Sequence, residues 1–133
     1  MSESECRIRV YGGGKAIDSV LDSIKEEVYR YNTLISKTGY YLKPVHKVYK
    51  RRSDGSIKVY EYYGRYWWRF KEARGGKRLV YAGKEKPKGL PSPPRIPLEG
   101  LSVIREDGDV IVDCRDYNKY IEVFKGLKAE RTF

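Results

Sequence analysis

The sequence predicts an α+β fold in which an antiparallel β-meander carries an N-terminal and a C-terminal helix packed on one face. Turn-forming glycines separate short runs rich in β-branched and aromatic residues, which is typical of hairpins. Apolar residues with helical spacing occur both before and after these runs. Strands and helices do not alternate along the chain, which disfavours a parallel sheet.

The first part of the chain predicts a strand followed by a helix. Arg7–Tyr11 alternates polar and apolar residues, so we expect a short strand there, and parallel pairing stays open for it. Gly12–Gly14 precedes a lysine but lacks the spacing of a phosphate-binding loop, so we interpret it as a flexible connector. The helix is expected to begin between Lys15 and Ser19, with Ser19 as its cap, and to end before Gly39.

Apolar residues recur along this helix with alternating spacings of four and three, which is a heptad stripe. Val20 and Leu34 widen the stripe, and the flanking positions offer no complementary charge pairs. We therefore favour packing on a sheet. The alternative is a homodimer interface formed by Ile17, Leu21, Ile24, Val28, Tyr31 and Ile35.

The central part, residues 40–88, predicts about four antiparallel strands. Val45–Arg52 and Ile57–Tyr63 flank an Asp-Gly turn, which is a strong hairpin signal. Arg65–Glu72 and Lys77–Gly83 flank a looser turn with two glycines.

Side chains alternate across a strand, so the two faces of the meander can be assigned. Tyr66, Trp68 and Phe70 form an apolar row that we assign to the core, and across the second hairpin they are expected to meet Gly83, Tyr81 and Leu79. A two-residue Asp-Gly turn in the first hairpin would pair Arg51 with Lys58 and Tyr49 with Tyr60. The resulting outer face is the predicted nucleic-acid-binding surface, with Lys47, Tyr49, Arg51, Lys58, Tyr60, Arg65, Trp67, Arg69, Lys71 and Arg78.

The charge of the chain is concentrated in this central part. The whole sequence has a net charge of +10. Residues 40–88 contain 15 Lys and Arg against 4 Asp and Glu, while the remainder has 13 basic and 14 acidic residues. Focused positive charge attracts a polyanion, and exposed aromatic rings stack on bases. The sequence therefore favours a small DNA- or RNA-binding protein over an enzyme, and it predicts no cofactor.

The run Tyr62–Phe70, with Gly75-Gly76-Lys77 and Tyr81–Lys84 after it, resembles a hairpin module of uncharacterised archaeal proteins, including proteins of archaeal viruses and plasmids. The module is similar in outline to the three-stranded DNA-reading sheets of integrase arm-binding domains and ethylene-response-type factors. This resemblance implies that Trp and Arg side chains of the sheet enter the major groove. The present chain departs from those families, because a Pro-rich stretch and not a helix follows the last strand.

The rest of the chain is expected to form a spacer and a third segment. Residues 85–99 contain five of the six prolines and predict an extended linker between residues 1–84 and 100–133, or a strap over the sheet. An Asp-Gly turn at Asp107 predicts another hairpin, and Asp116–Lys128 predicts a helix capped by Asp113 or Asp116, packed into the same domain.

Two alternative functions stay open. The protein is a homo-oligomeric structural or adaptor protein, such as a virion component, if the heptad stripe drives dimerisation. Glu106, Asp109 and nearby aspartates suggest a metal-dependent nuclease, although turns and caps explain several of them. Cys6, Cys114 and His46 have no zinc-binding spacing, so no metal site is predicted.

Composition also bears on source and compartment. Gln is absent and Asn is scarce, which is typical of proteins from high-temperature organisms. No stretch has the length and apolarity of a membrane helix or a signal peptide, so we expect a cytoplasmic protein, in the host cytoplasm if it is viral. In that compartment we favour buried free thiols at Cys6 and Cys114 over a disulfide, and a thermophilic source narrows the difference because intracellular disulfides occur there.

Overall fold

The computed structural model describes residues 6–132, which form one antiparallel sheet of seven strands with a long helix on one face. The sheet order is β2-β3-β5-β6-β1-β7, and β4 also pairs with β3. A short 3₁₀ turn over Ser36–Thr38 follows the long helix. The elements are β1 (Arg7–Val10), α1 (Gly13–Leu34), β2 (Tyr40–Arg51), β3 (Ile57–Ala73), β4 (Gly76–Gly83), β5 (Ser102–Glu106), β6 (Asp109–Asp113), α2 (Cys114–Lys119) and β7 (Ala129–Arg131).

The predicted fold, a meander with an N-terminal and a C-terminal helix packed on one face, is wrong. The predicted hairpins exist, but the terminal strands β1 and β7 join the same sheet. The predicted helix over Asp116–Lys128 is only α2, because three-residue turns replace helical bonds from Tyr120 onwards and Gly126 adopts a φ of 85°. A backbone bond of 2.9 Å from the Tyr11 amide to the Lys128 carbonyl then leads the chain into β7.

Strand β1 confirms the strand predicted at Arg7–Tyr11, and both of its partners, β6 and β7, are antiparallel to it. Its register pairs Arg7 with Asp113. The residues next in line, Cys6 and Cys114, therefore lie opposite each other with their Cα atoms 5.5 Å apart, and they form a disulfide. The expectation of two free thiols is wrong, because the separation of the two cysteines along the sequence does not reveal the strand register that places them opposite each other.

Helix α1 begins at Gly13, earlier than predicted, and Ser19 is not its cap. Gly12 precedes the helix in a left-handed conformation, with a φ of 77°. A Cβ at Gly13 would lie 2.6 Å from Cγ2 of Val110, and one at Gly14 would lie 3.0 Å from a backbone oxygen of the β5–β6 turn. The glycines are therefore not a flexible connector: they allow the first helical turn to pack directly on the sheet.

The heptad stripe packs inside the chain, as the sheet-packing interpretation predicted. Five of its members, Ile17, Ile24, Val28, Tyr31 and Ile35, are buried, and Leu21 is partly buried against the same core. The stripe therefore packs against this chain's own core and leaves little exposed surface for the homodimer interface, which stays a prediction. Neither helix within residues 6–132 combines the length and the apolarity that crossing a bilayer requires.

The Pro-rich segment lies against α1 and the sheet as a strap. Leu98 belongs to the main core together with Ile17 and Phe124. Ile96 packs on α1, and Leu90 completes a second cluster around Trp67. Because these contacts lie on the α1 side, the strap leaves the opposite face of β2, β3 and β4 uncovered.

Candidate nucleic-acid interface

The first hairpin determines which residues share a face, and its register differs from the predicted one. The amide of Arg52 donates to Ser56 O at 2.7 Å, so Ser53-Asp54-Gly55 forms a three-residue loop with Gly55 at a φ of 90°. Arg51 therefore pairs with Ile57, and not with Lys58. A slip of one residue moves every side chain of a strand to the other face, so the predicted faces of this hairpin are wrong.

The faces predicted for β3 are reversed as well. Trp67 is fully buried and meets Tyr31 edge-on, with ring centroids 6.0 Å apart. Tyr66, Trp68 and Phe70 project to the opposite side, which α1 does not cover. Two predicted pairs of the second hairpin, Trp68 with Tyr81 and Phe70 with Leu79, are correct, but a register shift places Gly83 opposite Trp67 and not opposite Tyr66. The error therefore lies in which of the two faces was assigned to the core.

The predicted site residues divide between the two sides of the sheet. Among them, Lys58 and Tyr60 lie on the uncovered face, as their cross-strand partners Lys50 and Val48 do. Lys47 forms a 3.7 Å salt bridge with buried Glu61 on the α1 side. The remaining predicted residues also alternate to the α1 side: Trp67 is buried, Arg65 forms a 2.9 Å salt bridge with Glu99, and Tyr49, Arg51, Arg69, Lys71 and Arg78 are exposed.

Aromatic rings occupy the centre of the uncovered face. His46 stacks on Tyr81 and Tyr66, with centroid distances of 5.0 and 5.3 Å, and Trp68 meets Tyr81 edge-on at 5.3 Å. These four side chains are called the ring cluster below. Tyr81 keeps 41% of its surface exposed, whereas Tyr66 keeps 6%. The cluster therefore holds its own rings in place and still offers ring surface to a ligand.

Lysines surround these rings. The ammonium of Lys43 lies 4.6 Å from the Trp68 ring centroid, and that of Lys84 lies 6.0 Å from Tyr66. Lys50 and Lys58 lie 4.9 and 5.2 Å from the ring centroid of Tyr60. Within residues 6–132 no salt bridge involves any of these four lysines. We call the ring cluster, Tyr60 and the four lysines the aromatic–lysine face.

Electrostatic contacts at this face shift the pKa of Tyr60. The side-chain hydrogen bond with Lys58 lowers the pKa of Tyr60, and this outweighs the opposing effect of partial burial. A phenol next to two ammonium groups is a strong hydrogen-bond donor. Tyr60 can therefore both stack on a ring and donate to a phosphate.

The carboxylates that suggested a nuclease are held by arginines. Arg9 forms salt bridges of 3.0 Å with Glu106 and with Asp109, and Arg52 binds Glu106 at 3.0 Å. The hydrogen bond from Arg52 is the main reason that the pKa of Glu106 is lowered. Asp113 caps α2 by accepting from the Arg115 amide at 2.7 Å. Within residues 6–132 no group of three or more His, Cys, Asp or Glu has a geometry that could hold a metal ion.

Sequence reasoning missed most of the aromatic–lysine face. It assigned Tyr66, Trp68 and Tyr81 to the core, and it did not assign Lys43, His46, Lys50 and Lys84 to the binding surface. One signal was available, because Ser-Asp-Gly is suited to a three-residue hairpin loop with a left-handed glycine. Such a loop places Lys50 beside Lys58, so the residues of β2 after Pro44 lie on the face opposite to the predicted one.

No protein-family model, curated protein or solved structure matches this chain.

Proposed function

We propose that the protein binds single-stranded nucleic acid through the aromatic–lysine face. The observation that carries the proposal is that stacked rings lie beside lysines on one uncovered sheet face, and that within residues 6–132 these lysines form no salt bridge. Bases stack on aromatic side chains whatever their identity, and each stacked base contributes about 1–3 kcal/mol. Unpaired strands expose base faces, whereas a duplex hides them.

The spacing of rings and ammonium groups suits a strand with alternating bases and phosphates. Each of the four lysines lies within 6.0 Å of a ring of the face. A base on such a ring would bring its own phosphate within reach of the neighbouring ammonium. The excess of basic residues in segment 40–88 adds attraction over a longer range.

The proposal includes no catalytic step and places the protein in the cytoplasm. The disulfide is compatible with that location if the source is a hyperthermophile, because intracellular proteins of such organisms contain disulfides. An adaptor role without nucleic acid is the alternative. It predicts self-association and no salt-dependent binding to any strand.

The proposal is tested by fluorescence anisotropy with labelled DNA and RNA strands of about ten nucleotides and with the matching duplexes. Log affinity should fall linearly with log salt, by about 0.7 per phosphate contacted on a single strand. The double variant Lys43→Gln/Lys50→Gln removes two such contacts and should reduce this slope by about 1.4. Lys25→Gln, on the exposed side of α1, is the matched control and should leave it unchanged.

Three results would contradict the proposal. The first is an absence of binding at low salt, the second is tighter binding of the duplex than of either strand, and the third is equal slopes for the double variant and the control. Light scattering of the same samples separates the adaptor alternative, because that alternative requires self-association of a protein that ignores nucleic acid.

A further inference from the structure

A depression of about 220 Å³ opens beside the aromatic–lysine face, between β3, β5, β6 and β1. Cross-strand pairs link Tyr60 to Ile104 and Ile104 to Ile111, so these side chains lie on the same sheet face. The two isoleucines form its floor. Tyr60 and Tyr62 form one wall, and Arg7 and Asp113, which pair with each other across β1 and β6, lie on the other side.

The chemistry of the depression favours a flat and neutral ring. Its floor is apolar, one wall is aromatic, and the charges of Arg7 and Asp113 are opposite, so a phosphate gains no net attraction there. Its volume is below the roughly 300–1,000 Å³ of sites that hold drug-sized ligands. A single base fits these conditions better than a whole nucleotide does.

The depression lies on the same path as the ring cluster. Tyr62 in its wall pairs across the strands with His46, which stacks on Tyr66 and Tyr81. A strand whose bases stack on the cluster can therefore place its next base between Tyr62 and Ile111.

We propose that the depression receives one base of the bound strand and selects a base with an exocyclic amino group. This inference rests on the proposed function and adds a specificity site to it. The carboxylate of Asp113 is fixed by the bond from the Arg115 amide at 2.7 Å, and a carboxylate has capacity for further donors. Amino groups of cytosine and adenine are such donors, whereas thymine and uracil present only carbonyl oxygens at the equivalent position.

Filling the depression tests whether a base enters it. Ile111→Phe places a ring in the space, and Ile121→Phe is the same change at an exposed position outside it. With a cytidine strand of about ten nucleotides, Ile111→Phe should bind about tenfold more weakly, at an unchanged salt slope. If thermal melting shows that Ile111→Phe does not fold, Ser102→Leu fills the same space from β5.

Exchanging the acceptor tests the selectivity. Asp113→Asn keeps an N-cap side chain but offers an amide in place of the carboxylate. The native protein should bind the cytidine strand severalfold more tightly than a thymidine strand, and Asp113→Asn should remove this ratio. Equal affinities of the native protein for the two strands would overturn the assignment to Asp113.

The outcomes separate this inference from the proposed function. A native protein that binds no strand at low salt overturns both. A native protein that binds strands with the expected salt slope, but no more tightly than Ile111→Phe or Ser102→Leu, overturns only the base site.

Discussion

The neighbouring residues Trp67 and Trp68 carry opposite predictions for stability and binding. Trp67 has no exposed surface and packs among Tyr31, Leu42 and Leu90. Truncating a buried aromatic residue to alanine costs about 3–5 kcal/mol. For a domain of this size 1 kcal/mol corresponds to about 3–5 °C, so Trp67→Ala should lower the melting temperature by about 10–20 °C.

Trp68 should show the reverse pattern. It is partly exposed, and its ring lies between the ammonium of Lys43, at 4.6 Å, and the ring of Tyr81, at 5.3 Å. Trp68→Ala removes a stacking surface and should weaken single-strand binding by about 1–3 kcal/mol, or roughly 5- to 150-fold. Its cost in stability should be about 1–2 kcal/mol, which is ordinary for a single substitution.

The assay is a thermal melt followed by circular dichroism, combined with anisotropy titrations below the lowest melting temperature. Tyr49→Ala is the control, because Tyr49 is 64% exposed and alternates to the α1 side. Tyr49→Ala should change neither the melting temperature nor the affinity for the strand. If Trp67→Ala melts like the native protein and Trp68→Ala unfolds, the assignment of the two sheet faces is wrong.

Three further predictions concern stability. Gly13→Ala should lower the melting temperature, because its Cβ would lie 2.6 Å from Val110, and such overpacking costs about 1–3 kcal/mol; Ser19→Ala, at the exposed position expected to cap the helix, should have a smaller effect. The double variant Cys6→Ser/Cys114→Ser should lose roughly 4–5 kcal/mol in urea unfolding, because the disulfide closes a loop of 108 residues, and only the native protein should respond to reductant. The pKa of Glu106 is lowered in the folded protein, so the unfolded chain binds a proton at Glu106 more readily than the folded chain does. The ionised Glu106 therefore stabilises the fold above about pH 4.3, and this stabilisation is lost as the pH falls through the folded pKa. Glu106→Gln should therefore flatten the fall of the urea midpoint between about pH 5 and pH 2, and an unchanged fall would refute this reasoning.

Turn residues and apolar periodicity predicted the hairpins, the buried side of α1 and strand β1, because short stretches of sequence determine these features. The Asp-Gly turns locate the β2–β3 and β5–β6 hairpins along the chain, although not the register of the first, because each tight reversal needs a residue with a left-handed φ: Gly55 at 90° and Asp107 at 54°. The heptad stripe identifies the buried side of α1. The alternation in Arg7–Tyr11 identifies β1.

Non-local pairing could not be predicted from these signals. β3 has 17 residues and pairs with β5 through its first half and with β4 through its second half. Each pairing depends on where distant segments arrive after the chain has folded. The disulfide and β7 depend in the same way on the register of β1, which no local pattern encodes.

The composition of β3 explains why its two faces were exchanged. Aromatic residues occur at both parities of the strand, with Tyr63 and Trp67 on one face and Tyr66 and Trp68 on the other. Period-two alternation distinguishes apolar from polar faces, so it cannot rank two faces that both carry large rings. The residues packed against each ring determine instead which face is buried.

The residues packed around Trp67, among them Leu42, Ile35 and Leu90, carry no charge. They exclude water completely from its ring. Around Trp68 the partners are His46, Tyr81 and the ammonium of Lys43, all of which keep polar atoms that water or a ligand can satisfy. We therefore expect a strand of nucleic acid to reach Trp68, whereas Trp67 packs between the helix and the sheet.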